Sequence, residues 1–431
     1  MCGIQITKSE IESGIKHRGT QHFKGNIGGW HYNFSSLPLS SNNTGLTQPL
    51  KLKSGYLFFN GEIFNYKQFG SYNSDLHYLK SLFNYGFLSQ RFRSEYKKWD
   101  GFWSICYVTK ESIIMFTDPL GKKQLYYNKN GVCSEIKPLL KKIEIMPEPK
   151  FGTLNTKFNG VNRCIPGDFY MYKIDAGLAY SAGKYFNIQS YLTERPSDSN
   201  LYGLINESVL LRSVTNYNKL GLLFSGGLDS SIIAYHLIKN KIDFTAISIE
   251  NNESEQCKKM ANYFGFEPVF INNEIKEDEL INVFRMYEHS YDLGSVVPQY
   301  LLFKKCKELD LNTVLTGDGS DELFGGYNRA RERDSFVYDV FSELPYYHHI
   351  RLDRCSMAHT VECRNPFLST NIINLARSLK RESRIGKKIL KDIYKDKIPF
   401  VDTEKKPLRP TGTKEQNMSN ANKYFNYAFK Q

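Results

Sequence analysis

Residues Leu220–Asn240, LGLLFSGGLDSSIIAYHLIKN, read as strand, loop and helix in succession. LGLLF is a short apolar run, SGGLDSS is turn chemistry, and beyond it Ile232, Ile233, His236 and Leu237 share one helical face. The runs FTAISI (244–249), PVFIN (268–272) and NTVLTG (312–317) repeat the buried-strand signature. Helical patterns lie between them, among them SEQCKKMANYFG (254–265) and PQYLLFKKCKEL (298–309). Strands alternating with helices predict a doubly wound parallel sheet.

In such a sheet a ligand sits outside the carboxyl ends of the strands, where Ser225–Ser231 falls. Gly226 and Gly227 let backbone amides converge, and the following helix adds its positive dipole end, so the loop is suited to phosphate oxygens. Ser225, Ser230 and Ser231 can add hydroxyl donors. Asp229 would repel phosphate unless a cation lies between them, which suggests Mg2+. The loop is neither a Walker loop nor a dinucleotide fingerprint; SGGLDSS at a strand end resembles the pyrophosphatase-type loop of enzymes that adenylate a substrate. A second loop, TGDGSDELFGGY (316–327), follows NTVL and should emerge beside the first on the same sheet edge, carrying acids suited to a metal contact or a proton carrier. Lys387 is the candidate to neutralise charge at the phosphates.

Upstream, to about residue 187, short β-rich runs (56–59, 103–108, 113–117, 168–174) alternate with turns and predict a layered sheet domain. A polar, turn-rich stretch at 188–200, with Pro196, is expected to be the linker to a second domain at 201–431. From Arg331 onward the pattern is mainly helical, and the last twenty residues, rich in Asn, Lys and Tyr, are expected to be poorly ordered.

A cysteine directly after the initiator methionine is chemically special, because removal of Met1 leaves a thiol and a free α-amine on one residue. The amine can then act as general base for the thiol. Asn60 and the Gly61 amide can supply an oxyanion hole, and Asp75 can receive a substrate ammonium.

The chain of 431 residues has 41% hydrophobic and 24% charged residues, enough apolar surface for two or three ordinary domains. No stretch approaches the roughly 18 uninterrupted apolar residues of a membrane span, and the N-terminus lacks a signal-peptide core. The 57 Lys+Arg against 45 Asp+Glu leave +12, dispersed without a basic tail, so a solvated surface is expected and nucleic acid is not. The eight cysteines contain no CxxC pair and read as reduced thiols in cytoplasm.

MCGI, HRG (17–19), QPL (48–50), NGEIFN (60–65), DPLGKKQLYY (118–127), SEIKPL (134–139), SGGLDSS, TGDGSDELFGGY, VECRNPFL (361–368) and GKKILK (386–391) occur in one order. Together they resemble the glutamine-dependent asparagine synthetase family over nearly the whole chain. The resemblance implies a class II glutamine amidotransferase domain, an N-terminal nucleophile αββα sandwich, followed by an adenylating synthetase domain. It implies Cys2 as nucleophile, Asn60 and Gly61 as the oxyanion-hole pair, and Glu62 and Asp75 as glutamine contacts. It further implies Leu223, Ser225, Gly226, Gly227, Asp229, Ser230, Thr316 and Gly317 at ATP. Asp229 and Asp321 would hold Mg2+, Lys387 would face the phosphates, and Asp318 would take the position the family fills with Glu or Asp. The substrates implied are glutamine, ATP and aspartate, or another carboxylate, through an acyl-adenylate; a homodimer is left open.

Where the family writes His-x-Arg-Leu-Ser, this chain has His31-Tyr32-Asn33-Phe34-Ser35. The missing arginine fork predicts glutamine binding weaker by about ten- to a hundredfold, unless Arg18 or another basic side chain compensates. Thr20 and Thr117 also depart from the family pattern, and the chain is shorter toward its carboxyl end. Two alternatives remain beside asparagine synthesis: a ligase of the same family with another carboxylate acceptor, and a degenerate nucleotide-binding member without turnover.

Overall fold

The computed structural model describes residues 2–39, 46–173, 178–183, 200–215, 219–251, 254–290, 293–399 and 414–430. The chain divides into two compact units, Met1–Thr193 with Pro345–Ile350, and Glu194–Leu344 with Arg351–Gln431. The stretch expected as a linker lies outside the described residues except for Asn200.

The first unit holds two six-stranded antiparallel sheets. One contains β1 (Cys2–Thr7), β2 (Gln21–Ile27), β3 (Trp30–Ser36), β8 (Tyr126–Asn128), β9 (Gly131–Cys133) and β10 (Asn162–Arg163), in the order β10-β8-β9-β1-β3-β2. The other contains β4 (Leu50–Leu52), β5 (Gly55–Ile63), β6 (Gly101–Val108), β7 (Ser112–Thr117), β11 (Phe169–Lys173) and β12 (Leu178–Gly183), in the order β12-β11-β7-β6-β5-β4. The period-2 alternation of β1 and β3 turns Ile4, Ile6 and Phe34 inward, where they pack with Phe58, Cys106 and Met115 of the facing sheet. On the outer face of the second sheet lie the helices Asp75–Gly86 and Gln90–Tyr96, whose Phe83, Phe92 and Tyr96 meet Tyr107, Phe116 and Trp103 edge-on. The sandwich is therefore present, but its fourth layer is thin. Over the first sheet, loop 8–20 carries only the 3-10 turn Lys16–Arg18. Pro345–Ile350 joins this unit through Gln124 Nε2, which donates to the Pro345 carbonyl at 3.2 Å.

The second unit is built on a five-stranded, wholly parallel sheet of β13 (Leu220–Leu223), β14 (Thr245–Ile249), β15 (Val269–Ile271), β16 (Thr313–Leu315) and β17 (Glu362–Arg364). Its order, β15-β14-β13-β16-β17, reverses direction between β13 and β16. That is the topological switch point, where loops from adjacent strands diverge and leave a crevice. The expected strands and helices are all present; β17 is additional.

The last twenty residues do not bear out the expectation of poor order. Lys414–Lys430 is a helix, with Ala421, Phe425, Ala428 and Phe429 buried at helical spacing. Its Tyr424 stacks on Phe284 of the helix Glu277–Tyr287. Polar composition concealed a narrow apolar stripe. Among the described residues no helix is long and apolar enough to cross a membrane.

Candidate functional site

Cys2 opens β1 at the edge of the inter-sheet core and is 6% exposed. Its backbone nitrogen, which becomes the free α-amine when Met1 is removed, donates to Asn60 Oδ1 at 2.9 Å. Asn60 Nδ2 donates to Ser104 at 3.3 Å. The Asn60 amide thus holds the cysteine nitrogen, where an oxyanion role alone was expected. Gly61 follows on β5, and a β-carbon there would fall 2.0 Å from the Phe102 carbonyl oxygen of β6, so only glycine fits. Burial pushes the Cys2 thiol pKa up; the Ser36 hydroxyl pulls it down and the Glu62 carboxylate raises it further.

Glu62 acts on the Cys2 thiol, and it shares a second neighbour, Tyr66, with Asp75. Both add to the burial that raises the Tyr66 phenol, and Asp75 Oδ2 accepts from the Ile63 amide at 3.2 Å. Two further residues complete the setting: Gln48, to which sequence reading gave no role, and Arg18, which was expected as a compensating partner of the glutamine carboxylate and is engaged by Glu135 and the Cys2 carbonyl. Gln48 accepts from the Phe59 amide at 2.7 Å and turns its Nε2 toward Cys2 Sγ at 3.9 Å. Arg18, fully buried, donates from Nε to the Cys2 carbonyl at 3.2 Å and from NH1 to Glu135 at 3.1 Å. The HRG and SEIKPL motifs are the signal that could have found this pair, which is joined only in three dimensions.

Asn33 is not in this group. In the β1–β3 register Cys2 faces Ser36 and Gln5 faces Asn33, so Asn33 projects from the opposite face of the sheet to Cys2. Its amide donates to the Ile11 carbonyl at 3.2 Å. The expectation that residue 33 governs glutamine affinity is therefore not supported by its position.

In the second unit, Leu223 closes β13 and residues 224–227 lead into the helix Leu228–Lys239, whose first turn carries Asp229, Ser230 and Ser231. Ser230 Oγ donates to the Gly227 carbonyl at 3.1 Å and accepts from the Ser225 amide at 3.2 Å, so one hydroxyl shapes the turn. The loop after β16 emerges alongside, as the topology requires. There Thr316 Oγ1 donates to the Asp318 carboxylate, and Ser320 Oγ donates to Asp229 Oδ1 at 2.7 Å across the two loops.

Lys387 ties the cluster together. Its Nζ lies 2.6 Å from Asp229 Oδ2 and 2.5 Å from Asp321 Oδ1. Two backbone bonds set it there: the Lys387 amide donates to the Phe324 carbonyl and the Gly386 amide to the Gly325 carbonyl, each at 2.9 Å. The approach is so close that a β-carbon on Gly326 would fall 1.9 Å from Asp321 Oδ1. Two carboxylates converging on one cationic point are the donor set a hard divalent ion uses, with phosphate oxygens and water completing it. Behind them Glu322 is buried, and desolvation, with the Asp321 charge adding to it, pushes its carboxyl up to about 8. The Tyr327 hydroxyl donates to it at 2.6 Å.

The sequence model of the asparagine synthase family matches residues 200–345 and 330–414. The glutamine-hydrolysing asparagine synthetase of Gallus gallus is 28% identical over 425 residues, covering 86% of this chain and 74% of that protein. Asparagine synthetase [glutamine-hydrolyzing] 2 of Oryza sativa subsp. japonica is 30% identical over 229 residues, which is 47% of this chain and 39% of the rice protein. Among solved structures, glutamine phosphoribosylpyrophosphate amidotransferase from B. subtilis aligns over 63% of this chain and 81% of its own, at 12% identity and a TM-score of 0.32, too slight to argue from. The convergence of the loops after β13 and β16 and the order of the motifs agree with the sequence relatives, and the chain belongs to the asparagine synthase family.

Proposed function

We propose that the chain is a glutamine-dependent amide ligase that makes asparagine from aspartate. Residues 1–187 form the amidotransferase domain and residues 201–431 the synthetase domain, with 188–200 between them. The aspartate side-chain carboxylate attacks the α-phosphorus of ATP and pyrophosphate leaves. Ammonia then attacks the acyl carbon, AMP departs, and the surplus proton passes to Asp318. Adenylation converts a poor leaving oxygen into a good one.

The observation that carries this reading is the placement of Lys387 Nζ between Asp229 and Asp321 at the switch point of a parallel sheet. There a lysine can face developing phosphate charge. Leu223, Ser225, Gly226, Gly227, Ser230, Thr316 and Gly317 line the nucleotide's place. Asp229 and Asp321 would hold Mg2+, which when bound supplies the positive charge that separates carboxylates from phosphate oxygens.

In the first unit the Cys2 thiol attacks the glutamine amide carbon. Its own α-amine, oriented by Asn60 Oδ1, takes the thiol proton and returns it to the departing ammonia. The Gly61 amide faces the oxyanion, and Glu62 and Asp75 receive the glutamine ammonium. The reading places the protein in cytoplasm.

The test is release of AMP and pyrophosphate from ATP with a panel of acidic amino acids, each run with glutamine and with ammonium. Aspartate alone should raise both products, and asparagine should form in equal amount. Release with a different carboxylate and none with aspartate would reject the acceptor, and no release with any would reject the ligase.

A further inference from the structure

Asp229 and Lys387 belong to two helices that are joined twice, at matching places. Asp229 stands in the first turn of Leu228–Lys239, and Lys387 caps the start of Lys388–Tyr394. The contact of Lys387 with Asp229 at 2.6 Å links positions 158 apart in the chain. About two turns further along each helix, Tyr394 and His236 are again 158 apart, and the Tyr394 hydroxyl meets His236 Nε2 at 2.5 Å. Equal offsets at both ends mean that the helices run side by side, in the same direction and in one register.

Both members of the far pair are fully buried. His236 Nδ1 stands 3.0 Å from Asn206 Oδ1, which also accepts from Asn240 Nδ2 at 2.8 Å. An amide oxygen only accepts, so Nδ1 carries the ring proton and Nε2 accepts from Tyr394. Burial pushes the Tyr394 pKa up and the His236 pKa down, so the bond is neutral on both sides. The near end needs such a support. Lys387 has a φ of 59° and Gly386 one of 63°, and a lysine keeps a left-handed backbone only where neighbouring contacts hold it. The helix after it has seven residues, too few to persist on its own backbone bonds. Resting on the ligase reading above, we propose that Tyr394 and His236 are a positioning pair, which fixes the helix Lys388–Tyr394 along its axis and so keeps the Lys387 ammonium at Asp229 and Asp321 during adenylation.

The experiment uses the full-length protein with ammonium as nitrogen donor, and a thermal melt supplies the folded fraction of each variant. Tyr394→Phe removes the hydroxyl and keeps the ring. It should lower kcat for AMP release by about three- to thirtyfold, with the ATP and aspartate KM within about twofold and glutamine hydrolysis unchanged. Tyr235→Phe is the matched control: its hydroxyl bonds Tyr202 in the same aromatic cluster, at 3.2 Å, and does not reach the helix after Lys387, so kcat should stay at the wild-type value. His236→Gln, whose Oε1 can still accept from Tyr394, should keep most of kcat, whereas His236→Leu should lose as much as Tyr394→Phe; this comparison decides if the phenylalanine variant does not fold. An unchanged kcat per folded molecule in Tyr394→Phe, an equal fall in Tyr235→Phe, or equal kcat in the glutamine and leucine variants overturns the positioning role while leaving the ligase standing. Absence of AMP release from the wild type with any acidic amino acid overturns the ligase reading and the role with it.

Discussion

Residue 326 has no room for a side chain: its β-carbon would also fall 2.6 Å from Lys387 Cε. Gly326→Ala must push Lys387 or Asp321 away, and both belong to the proposed adenylation site. AMP release should fall by at least about tenfold while the melting temperature changes little, since displacement of a flexible lysine costs less than the roughly 1–3 kcal/mol of an overpacked core. A thermal melt beside an AMP assay checks both halves. At this scale the sequence was most informative where one residue type is demanded by chemistry, as at Cys2, Asp229 and Lys387. It was silent on the contact of Gln48 with Cys2, the pairing of Arg18 with Glu135, and the burial of Glu322, because each acquires its place from a partner distant in the chain or from burial, and neither is written in local composition.

Strand alternation decides the fate of Asn33. Because β1 and β3 pair Cys2 with Ser36, a side chain at 33 must leave the sheet on the other face. Asn33→Arg is expected to leave glutamine KM unchanged, and a marked fall in that KM would show that the register differs when glutamine is bound. Gln48 lies on the cysteine's own side. Gln48→Leu removes the amide that reaches Sγ and accepts from Phe59 N, so glutaminase kcat/KM should drop while ammonium-driven synthesis is kept. The parallel strands and the helix after SGGLDSS were legible because short apolar runs bounded by glycine and acid have few other solutions. The terminal helix was not, since its buried face uses alanine and phenylalanine sparsely among Asn and Lys.

For the whole molecule, two compact units predict two separable chemistries. Cys2→Ala should abolish glutamine use and leave ammonium-driven amide synthesis intact; a variant that still hydrolyses glutamine would remove Cys2 from its role. Stability should also respond to acid. His236 is buried with Nε2 accepting from Tyr394 at 2.5 Å and Nδ1 donating to Asn206 at 3.0 Å, and burial, with Lys239 adding to it, pushes its pKa down to about 3. The folded chain therefore favours the neutral ring. That contribution is fully present above the unfolded value near 6.5 and is lost as pH falls toward 3, amounting to about 2 kcal/mol between pH 7 and 5. His236→Gln should flatten the fall in unfolding free energy over that interval, as measured by denaturant titration. The backbone bonds that join Ile385–Lys387 to Phe324–Gly325 have a further consequence for engineering. The lysine is mounted on the second loop and travels with it, so the two segments form one cassette. A chimera that imports 316–327 from a relative without 384–388 would inherit the acids and misplace their counter-ion, and only the two grafted together should transfer the activity.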